Sequence, residues 1–311
     1  MRRIFGIVLL GLFGFLLVVG LFAQFYAPGV LKKTPLDVNT LTTLSGQGSY
    51  LGQPETPVSV WQRTEAIGDK STDEVIVMRN FQCVMKDPDG TAPQSPVCLD
   101  ATDERLINAS EDRFATDRVT ALAVNDPKYI GADGVPHDGL VNKFPFDVEK
   151  KTYPFWDGVL DRAVDADFQG VEDVNGLTTY KFQIAVENES AEIAKDTPGT
   201  YSDTKTMWID PVTGSIIDQS EQQLRMLSSG DVALDLDIAF TDATVKQNVD
   251  DAKANGSKLG IIALVPWVSY FLAAVALVGG ILLLGSSGPR HTSRQESDID
   301  EMLNTRTSRS A

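Results

Sequence analysis

Residues 168–186 read FQGVEDVNGLTTYKFQIAV, two runs of alternating polar and apolar residues on either side of Asn175-Gly176. Asn-Gly between alternating runs is the strongest short sequence signal for a β-hairpin, because both turn residues must adopt positive φ. Four apolar side chains share one face of the second run: Tyr180, Phe182, Ile184 and Val186. Successive side chains of a strand point to opposite faces, so we expect this set to face a core.

The same alternation recurs outward from this hairpin. Residues 206–217 read TMWIDPVTGSII, which predicts a second hairpin with a turn from Asp210 to Gly214. The other candidate strands are residues 58–63, 74–85, 118–124 and 231–240. Gly46-Gln47-Gly48 is interpreted as a turn. We therefore predict a mainly β, antiparallel domain that is either curved or sandwich-like.

A weak internal likeness accompanies these strands. Residues 117–124, DRVTALAV, resemble residues 210–217, DPVTGSII. Two copies of one β unit, forming two similar halves of a continuous curved sheet, would explain the likeness. With only two copies, chance similarity is the alternative.

Two uncharged apolar segments lie near the ends of the chain, at residues 4–27 and 259–284. At about 1.5 Å per residue, each is long enough to cross a hydrocarbon layer of roughly 30 Å as a helix. We predict that both are transmembrane helices and that the first is a retained anchor rather than a cleaved signal peptide. Ala276 and Gly280 are four residues apart and so share one face of the second span. That face either packs against the first span or faces lipid.

Arginines flank the two predicted spans on their outer ends, Arg2 and Arg3 before the first and four more after the second. The positive-inside rule then puts residues 1–3 and the disordered tail 285–311 in the cytoplasm. Serines and threonines beside the tail arginines could be kinase targets. Residues 28–258 become an extracytoplasmic domain of a two-pass plasma-membrane protein.

Composition excludes several function classes. The net charge is −16, and residues 28–258 carry 39 acids against 21 bases, so nucleic acid is a poor partner. Two histidines and two cysteines exclude most zinc and iron–sulfur sites, and no cofactor or metal is expected. Cys83 and Cys98 flank a short loop on the oxidising side of the membrane, where we predict a disulfide.

Catalytic signals are scarce. His137 is the only histidine between the spans, and no G-x-S-x-G elbow or phosphate-binding loop is present. Asp235 and Asp237 could bind calcium, but a solvated strand face explains them more simply. We predict that the chain is not an enzyme, with a histidine-dependent envelope hydrolase as the less favoured alternative.

Aromatic residues are concentrated between residues 136 and 157. This segment could form the rim of an apolar groove, or it could be a long connection packed across a sheet. The candidate ligand-binding residues are Phe144, Phe146, Tyr153, Phe155, Trp156 and Trp208.

Three motifs carry a resemblance to a known family: HDGLVNKFPFDVEKKTYPFWD at 137–157, GVEDVNGLTTYKF at 170–182 and MWIDPVTGSIID at 207–218. Together they resemble the actinobacterial porin PorA-like family, which includes a mycobacterial polar growth factor. The resemblance implies an envelope protein without catalytic residues. It further implies a role in polar growth, with an envelope lipid transporter as partner and trehalose monomycolate, a mycolate glycolipid, as the lipid.

The name porin does not fit the sequence pattern. A pore-forming barrel needs strands with an outward apolar band and no helical spans. We therefore expect no pore, but a membrane-anchored protein that binds membrane lipids or regulates envelope lipid trafficking. A structural or interaction module without a ligand is the alternative.

Overall fold

The computed structural model of the chain describes residues 1–91 and 98–285. Residues Gly29–Gly260 form one compact unit, and Met1–Pro28 with the residues from Ile261 onward form another. The tail predicted to be disordered and cytoplasmic, with its candidate kinase targets, lies outside the described residues apart from Gly285.

Ten antiparallel strands form a single sheet in the larger unit, so the curved form of the predicted β domain is the correct one. The sheet order is β4-β3-β2-β1-β10-β9-β8-β7-β6-β5, in which two meanders meet where β1 pairs with β10. The strands are β1 Asn39–Tyr50, β2 Thr56–Ala66, β3 Val75–Lys86, β4 Leu106–Asp117, β5 Tyr153–Asp157, β6 Arg162–Val174, β7 Leu177–Ala194, β8 Thr197–Ile209, β9 Ile216–Leu227 and β10 Val232–Phe240. The helices are α1 Arg2–Phe25, α2 Ala27–Leu31, α3 Pro127–Ile130 and α4 Asp242–Gly285.

Both predicted hairpins are confirmed. Asn175 and Gly176 join β6 to β7 with φ of 51° and 75°, as the Asn-Gly signal requires. The second hairpin joins β8 to β9. Phe182, Ile184 and Val186 are buried as expected, and they define what we call the inner face of the sheet.

Two sequence-based assignments are wrong. Residues 118–124 are not a strand; they form a turn followed by isolated bridges at Leu122 and Ala123. Gly46-Gln47-Gly48 is not a turn but the middle of β1. A side chain at Gly46 would collide with the backbone of β10, so glycine allows the two strands to approach closely at the centre of the curl.

One turn geometry occurs three times, at Asp117, Asp157 and Asp210, each followed two residues later by valine. We call these the D-x-V turns. Each carboxylate accepts hydrogen bonds from the backbone N–H groups two and three residues ahead. The residues before and six after each aspartate are paired: Thr116 with Ala123, Trp156 with Ala163, and Ile209 with Ile216. The likeness of residues 117–124 to 210–217 is therefore a likeness of turn geometry.

The connection between β4 and β5, residues 118–152, joins the two edge strands of the sheet. Leu140 bridges Leu122 on one side and Phe155 of β5 on the other. Ala123 bridges Thr116 of β4. The connection thus spans the gap that the curled sheet leaves between its edges.

The predicted disulfide between Cys83 and Cys98 is present. Cys83 lies on the face of β3 opposite the inner face, in a small cluster with Trp61 and Met85. Leu99, just beyond the disulfide, packs against the same cluster. The bridge therefore holds Cys98 and Leu99 against the outer face of the sheet.

The smaller unit contains two helices long and apolar enough to cross a membrane, α1 and the last part of α4. They pack antiparallel: the Tyr270 hydroxyl donates to Gln24 Oε1 at 2.6 Å, and a Cβ at Gly6 would lie 2.8 Å from Leu284. Ala276 is only 3% exposed, so the face that carries Ala276 and Gly280 packs against α1. Close approach at small residues is typical of helices that associate in membranes.

Helix α4 begins earlier than the predicted span, at Asp242. Val245, Val249 and Ala252 recur at helical spacing and pack against Ile217 at the start of β9. Thr241 precedes the helix, and its hydroxyl accepts a hydrogen bond from the Thr244 N–H at 3.3 Å.

Candidate functional site

The inner face of the sheet is apolar on both sides of a polar centre. Directly paired residues share a face, so the register defines one row across seven strands. That row consists of Ala166, Ile184, Lys205, Glu221, Ile238, Gly46 and Val58. Two charged side chains therefore lie between isoleucines at the centre of an otherwise apolar row.

The two apolar clusters beside this centre differ in construction. The first lies on β5 to β8 and includes four residues of the connection, among them Leu140 and Phe144. The second consists of strand residues alone, from β1 to β4 and β10. The polar centre thus separates a cluster covered by the connection from one built by strands only.

The polar centre, which we call the inner polar cluster, consists of Asp157, Tyr201, Asp203, Lys205 and Glu221. The Tyr201 hydroxyl donates to Asp157 Oδ2 at 3.1 Å. Lys205 Nζ lies 3.7 Å from Asp203 Oδ2 and 3.5 Å from Glu221 Oε2. The side chain of Lys205 is 20% exposed and that of Asp203 is fully buried.

Asp203 lies in an unusual environment for a carboxylate. Neither of its oxygens has a hydrogen-bond partner among the described residues. Burial raises the pKa of Asp203 to about 7, and the neighbouring Glu221 and Asp157 add to the rise against the opposing charge of Lys205. A perturbed carboxylate in a buried polar cluster is a feature of functional sites.

Tyr201 and Lys205, which lie beside Asp203, keep their ordinary protonation states. Burial raises the pKa of Tyr201, and the nearby Asp203 and Asp157 raise it further, so its hydroxyl stays a donor. Burial acts to lower the pKa of Lys205, but the attraction of Glu221 and Asp203 outweighs burial and raises it. The cluster can therefore offer an ammonium group and carboxylate acceptors to a polar ligand group.

Neighbouring side chains of β9 hold the carboxylate of Glu221 through hydrogen bonds. Gln223 and Gln219 each donate to one of its carboxylate oxygens, at 2.9 and 3.2 Å. Arg225 donates in turn to Gln223 Oε1 at 2.8 Å. These bonds fix the carboxylate of Glu221 in front of Lys205.

Three of the predicted ligand-binding aromatics lie together in the first apolar cluster. Phe144, Tyr153 and Phe155 are each at most 8% exposed. The Phe144 ring centroid lies 4.6 Å from that of Phe182 on β7 and 5.5 Å from that of Phe155. This part of the connection is packed across the sheet, and ligand binding by these residues stays a prediction.

The other three predicted residues lie apart from that group. Phe146 is half-buried under Lys143, whose Nζ is 4.0 Å from the ring centroid. Trp156 packs beside His137, 4.4 Å between centroids. Trp208 points to the outer face, where its indole N–H donates to Glu172 Oε2 at 2.7 Å.

His137 is buried between the two edges of the sheet. Its Nδ1 lies 2.9 Å from the Val135 carbonyl oxygen and its Nε2 lies 2.9 Å from Asp112 Oδ2. Its ring also packs beside Phe114 of β4. Both nitrogens are thus engaged with acceptors, which leaves neither directed at a hydroxyl nucleophile.

No group of three or more potential metal-ligating His, Cys, Asp or Glu side chains occurs in the described part of the chain. Asp235 and Asp237 are both exposed on the outer face of β10. The solvated-face interpretation of these two carboxylates is the one that their exposure supports.

Sequence reasoning missed the inner polar cluster, although a signal for it was present. On β8, Tyr201, Asp203 and Lys205 share the face of Met207 and Ile209, both of which are fully buried. Charged residues at the inward positions of an alternating strand mark a buried polar group. The contribution of Asp157 could not be read from that pattern because it comes from another strand.

Comparisons with known proteins identify the family of this chain. A family model described as Porin PorA matches residues 5–282. A protein of Corynebacterium amycolatum named Porin PorA is 35% identical over 95 residues, which cover 27% of this chain and 25% of that protein. The chain thus spans about a quarter of this relative's length.

Among solved structures, a LolA superfamily protein from Nitrosomonas europaea aligns with 71% of this chain and 94% of its own chain. The sequence identity is 9% and the TM-score is 0.12. A likeness this low carries no argument about fold or function.

Proposed function

We propose that this chain, which belongs to the Porin PorA family, is a cell-envelope protein anchored in the plasma membrane by two spans. Both termini are cytoplasmic and the sheet is extracytoplasmic. The sheet binds an envelope lipid such as trehalose monomycolate, or regulates a transporter of that lipid, in support of polar growth.

The inner face of the sheet is the observation that carries this proposal. An envelope lipid has a polar head and apolar chains, and the inner face combines a buried polar cluster with apolar clusters on both sides. Burial of apolar chains would supply the driving force, at roughly 25 cal/mol per Å². The carboxylates and Lys205 would orient the head group.

The paired helices support the anchoring part of the proposal. Helix α1 and the last part of α4 expose large apolar side chains, among them Phe15, Phe271 and Leu282. Contiguous exposed apolar surface of this extent marks a membrane contact. A domain tethered at both ends stays near the bilayer, so weak contacts with lipid benefit from a high effective concentration.

We propose no pore, although the family is named for porins. Membrane barrels present an apolar band on the outside of their strands. The outer face of this sheet instead carries exposed carboxylates, including Asp165, Asp167, Asp235 and Asp237. Lipid contact along these strands would bury those charges at high cost.

A structural module without a ligand is the second candidate function. Phe144 and Phe182 are fully buried against each other, so this part of the inner face is filled by the protein's own side chains. We propose a non-catalytic role under either candidate, and the contacts of both His137 nitrogens with acceptors support it.

Lipid analysis of the purified protein tests the proposal. The full chain is extracted from envelope membranes in mild detergent, and bound lipid is identified by mass spectrometry. We expect one class of envelope glycolipid to remain bound and to exchange with added glycolipid. Retention of no lipid, with no uptake of added glycolipid, would favour the structural module.

A further inference from the structure

Two arginines lie directly opposite each other on the outer face of the sheet. Arg79 of β3 is in register with Arg113 of β4. Like charges in directly opposed positions destabilise a sheet. An anion bound between the two guanidinium groups would reduce this repulsion.

The hydrogen-bond donors of this pair are only partly used. Arg79 Nη2 donates to Glu65 Oε1 at 2.6 Å, and Arg113 Nη2 donates to the Tyr129 carbonyl oxygen at 2.6 Å. The Nε of each arginine is buried without a hydrogen-bond partner in the described part of the chain. Each arginine therefore has one buried donor that the described residues leave unsatisfied, which is costly.

Local charge differs from that of the whole chain. Arg79 is 3.8 Å from Glu111 and shares Glu65 with Arg63. Arg113 has no carboxylate within 4.0 Å among the described residues. Three arginines therefore face two glutamates, a local positive excess in a chain of net charge −16.

We propose that Arg79 and Arg113 form a binding site for a phosphoryl group, either free phosphate or the head group of an anionic lipid. Guanidinium groups match the geometry of phosphate oxygens and can bind them in a bidentate manner. Arg79 is 40% exposed at its side chain, so a ligand reaches it from solvent. The Phe81 ring, 4.9 Å from its guanidinium carbon, holds the group in place.

Titration of the full chain in non-ionic detergent micelles tests this site. Inorganic phosphate is added in one series and micelles doped with phosphatidic acid in another, with phosphatidylcholine as the lipid reference, and heat is measured by calorimetry. Binding in the first series identifies free phosphate as a ligand, and binding only in the second identifies the lipid head group. We expect Arg79→Met and Arg113→Met each to weaken binding at least tenfold.

Arg162→Met is the matched control, because Arg162 forms one ion pair with Glu189 and lies on β6, which pairs with neither β3 nor β4. It should bind as the unsubstituted protein does. Arg113→Met removes a like-charge contact together with one hydrogen bond to the Tyr129 carbonyl oxygen, so its thermal midpoint without phosphate should stay near that of the unsubstituted protein, which separates lost binding from unfolding. Absence of binding in both series, or equal affinity in Arg79→Met, Arg113→Met and the control, would overturn the proposal.

Discussion

Neither oxygen of Asp203 has a hydrogen-bond donor among the residues that the structure describes, and the buried carboxyl makes the stability of the fold depend on pH. Burial raises the pKa of this carboxyl from 3.8 to about 7 in the folded chain. A group with a raised folded-state pKa contributes stability that is complete below pH 3.8 and is lost as the pH rises to about 7. The folded chain should therefore be less stable at pH 8 than at pH 5 on account of this side chain.

Asp203→Asn tests that linkage. The amide is neutral at every pH, and Lys205 keeps Glu221 as its partner. We expect the variant to be stabilised at pH 8, by roughly 1–3 kcal/mol, because an incompletely paired buried charge is removed. The advantage should shrink at pH 5, where the carboxyl is protonated.

Thermal unfolding midpoints of the full chain at both pH values measure this effect. Asp235→Asn, a substitution of an exposed carboxylate on the outer face, is the control and should shift neither midpoint. A lower midpoint for Asp203→Asn than for the parent at pH 8 would contradict the assignment.

The close approach of β1 and β10 at Gly46 leads to a second prediction. An alanine Cβ there would overlap the Asp237 carbonyl and lie 2.8 Å from Ile238 Cα, so β1 and β10 would have to separate. We expect Gly46→Ala to destabilise the fold by about 2 kcal/mol or more. At Gly158 the corresponding Cβ meets its nearest atom at 3.6 Å, so Gly158→Ala should be tolerated. Equal thermal midpoints for the two variants would refute the close approach.

Among the elements, the D-x-V turns show what local sequence can and cannot supply. The likeness between the turns at Asp117 and Asp210 rests on the Val-Thr that follows each, but only the turn at Asp210 was predicted, since residues 118–124 were assigned to a strand. The turn at Asp157 continues as Val-Leu and was missed, although its hydrogen bonds are the same. The fourth residue after each aspartate has positive φ: Ala121 at 59°, Asp161 at 49° and Gly214 at 74°.

Substitutions at this fourth position should act in opposite directions. Asp161→Gly should raise the free energy of unfolding by about 0.5–1 kcal/mol, because glycine adopts positive φ without steric cost. Gly214→Ala should lower it, since its Cβ would also collide with the Phe144 and Pro145 carbonyl oxygens. Urea unfolding of the full chain in detergent compares the two. Shifts of the same sign would show that positive φ does not govern this position.

The strands that the sequence analysis did not predict share one property, the lack of a clear alternation of apolar residues. β1 and the exposed part of β4 are polar, and β5 contains a proline, so none shows a clean apolar alternation. The strands predicted correctly, β2, β3 and β6 to β10, each carry buried side chains on at least one face, and β2 and β3 carry them on both. Alternation detects a strand only where one face is buried against a core.

For the molecule as a whole, local sequence patterns could not predict which strands pair with each other in the sheet. Leu44 of β1 pairs with Phe240 of β10, and these two residues lie almost the whole length of the domain apart in sequence. The connection joins the opposite edges, β4 and β5, through Leu140. Such non-local pairings depend on total burial rather than on neighbouring residues, so the choice of a curved sheet over a sandwich and the contribution of Asp157 to the inner polar cluster both required the structure.

The orientation of the chain in the membrane, with the sheet outside and the tail in the cytoplasm, is a further prediction. Lys195 is exposed at the turn between β7 and β8, and Ser310 lies in the predicted cytoplasmic tail. Both cysteines of the chain are in the disulfide, so an added cysteine is the one thiol available to a reagent. We expect a membrane-impermeant maleimide to label Lys195→Cys in intact cells and Ser310→Cys only after lysis. The reverse pattern would invert the proposed topology.

Photo-crosslinking at two adjacent positions of β8 tests the central proposal, lipid binding on the inner face, most directly. A photoreactive side chain replaces Lys205, which lies on the inner face and is partly exposed, or Thr204, which lies exposed on the outer face. After irradiation of envelope membranes, mass spectrometry of the full chain identifies the adducts. We predict envelope glycolipid attached at position 205 and not at 204. Adducts at 204 alone, or none at either position, would contradict a lipid site on the inner face.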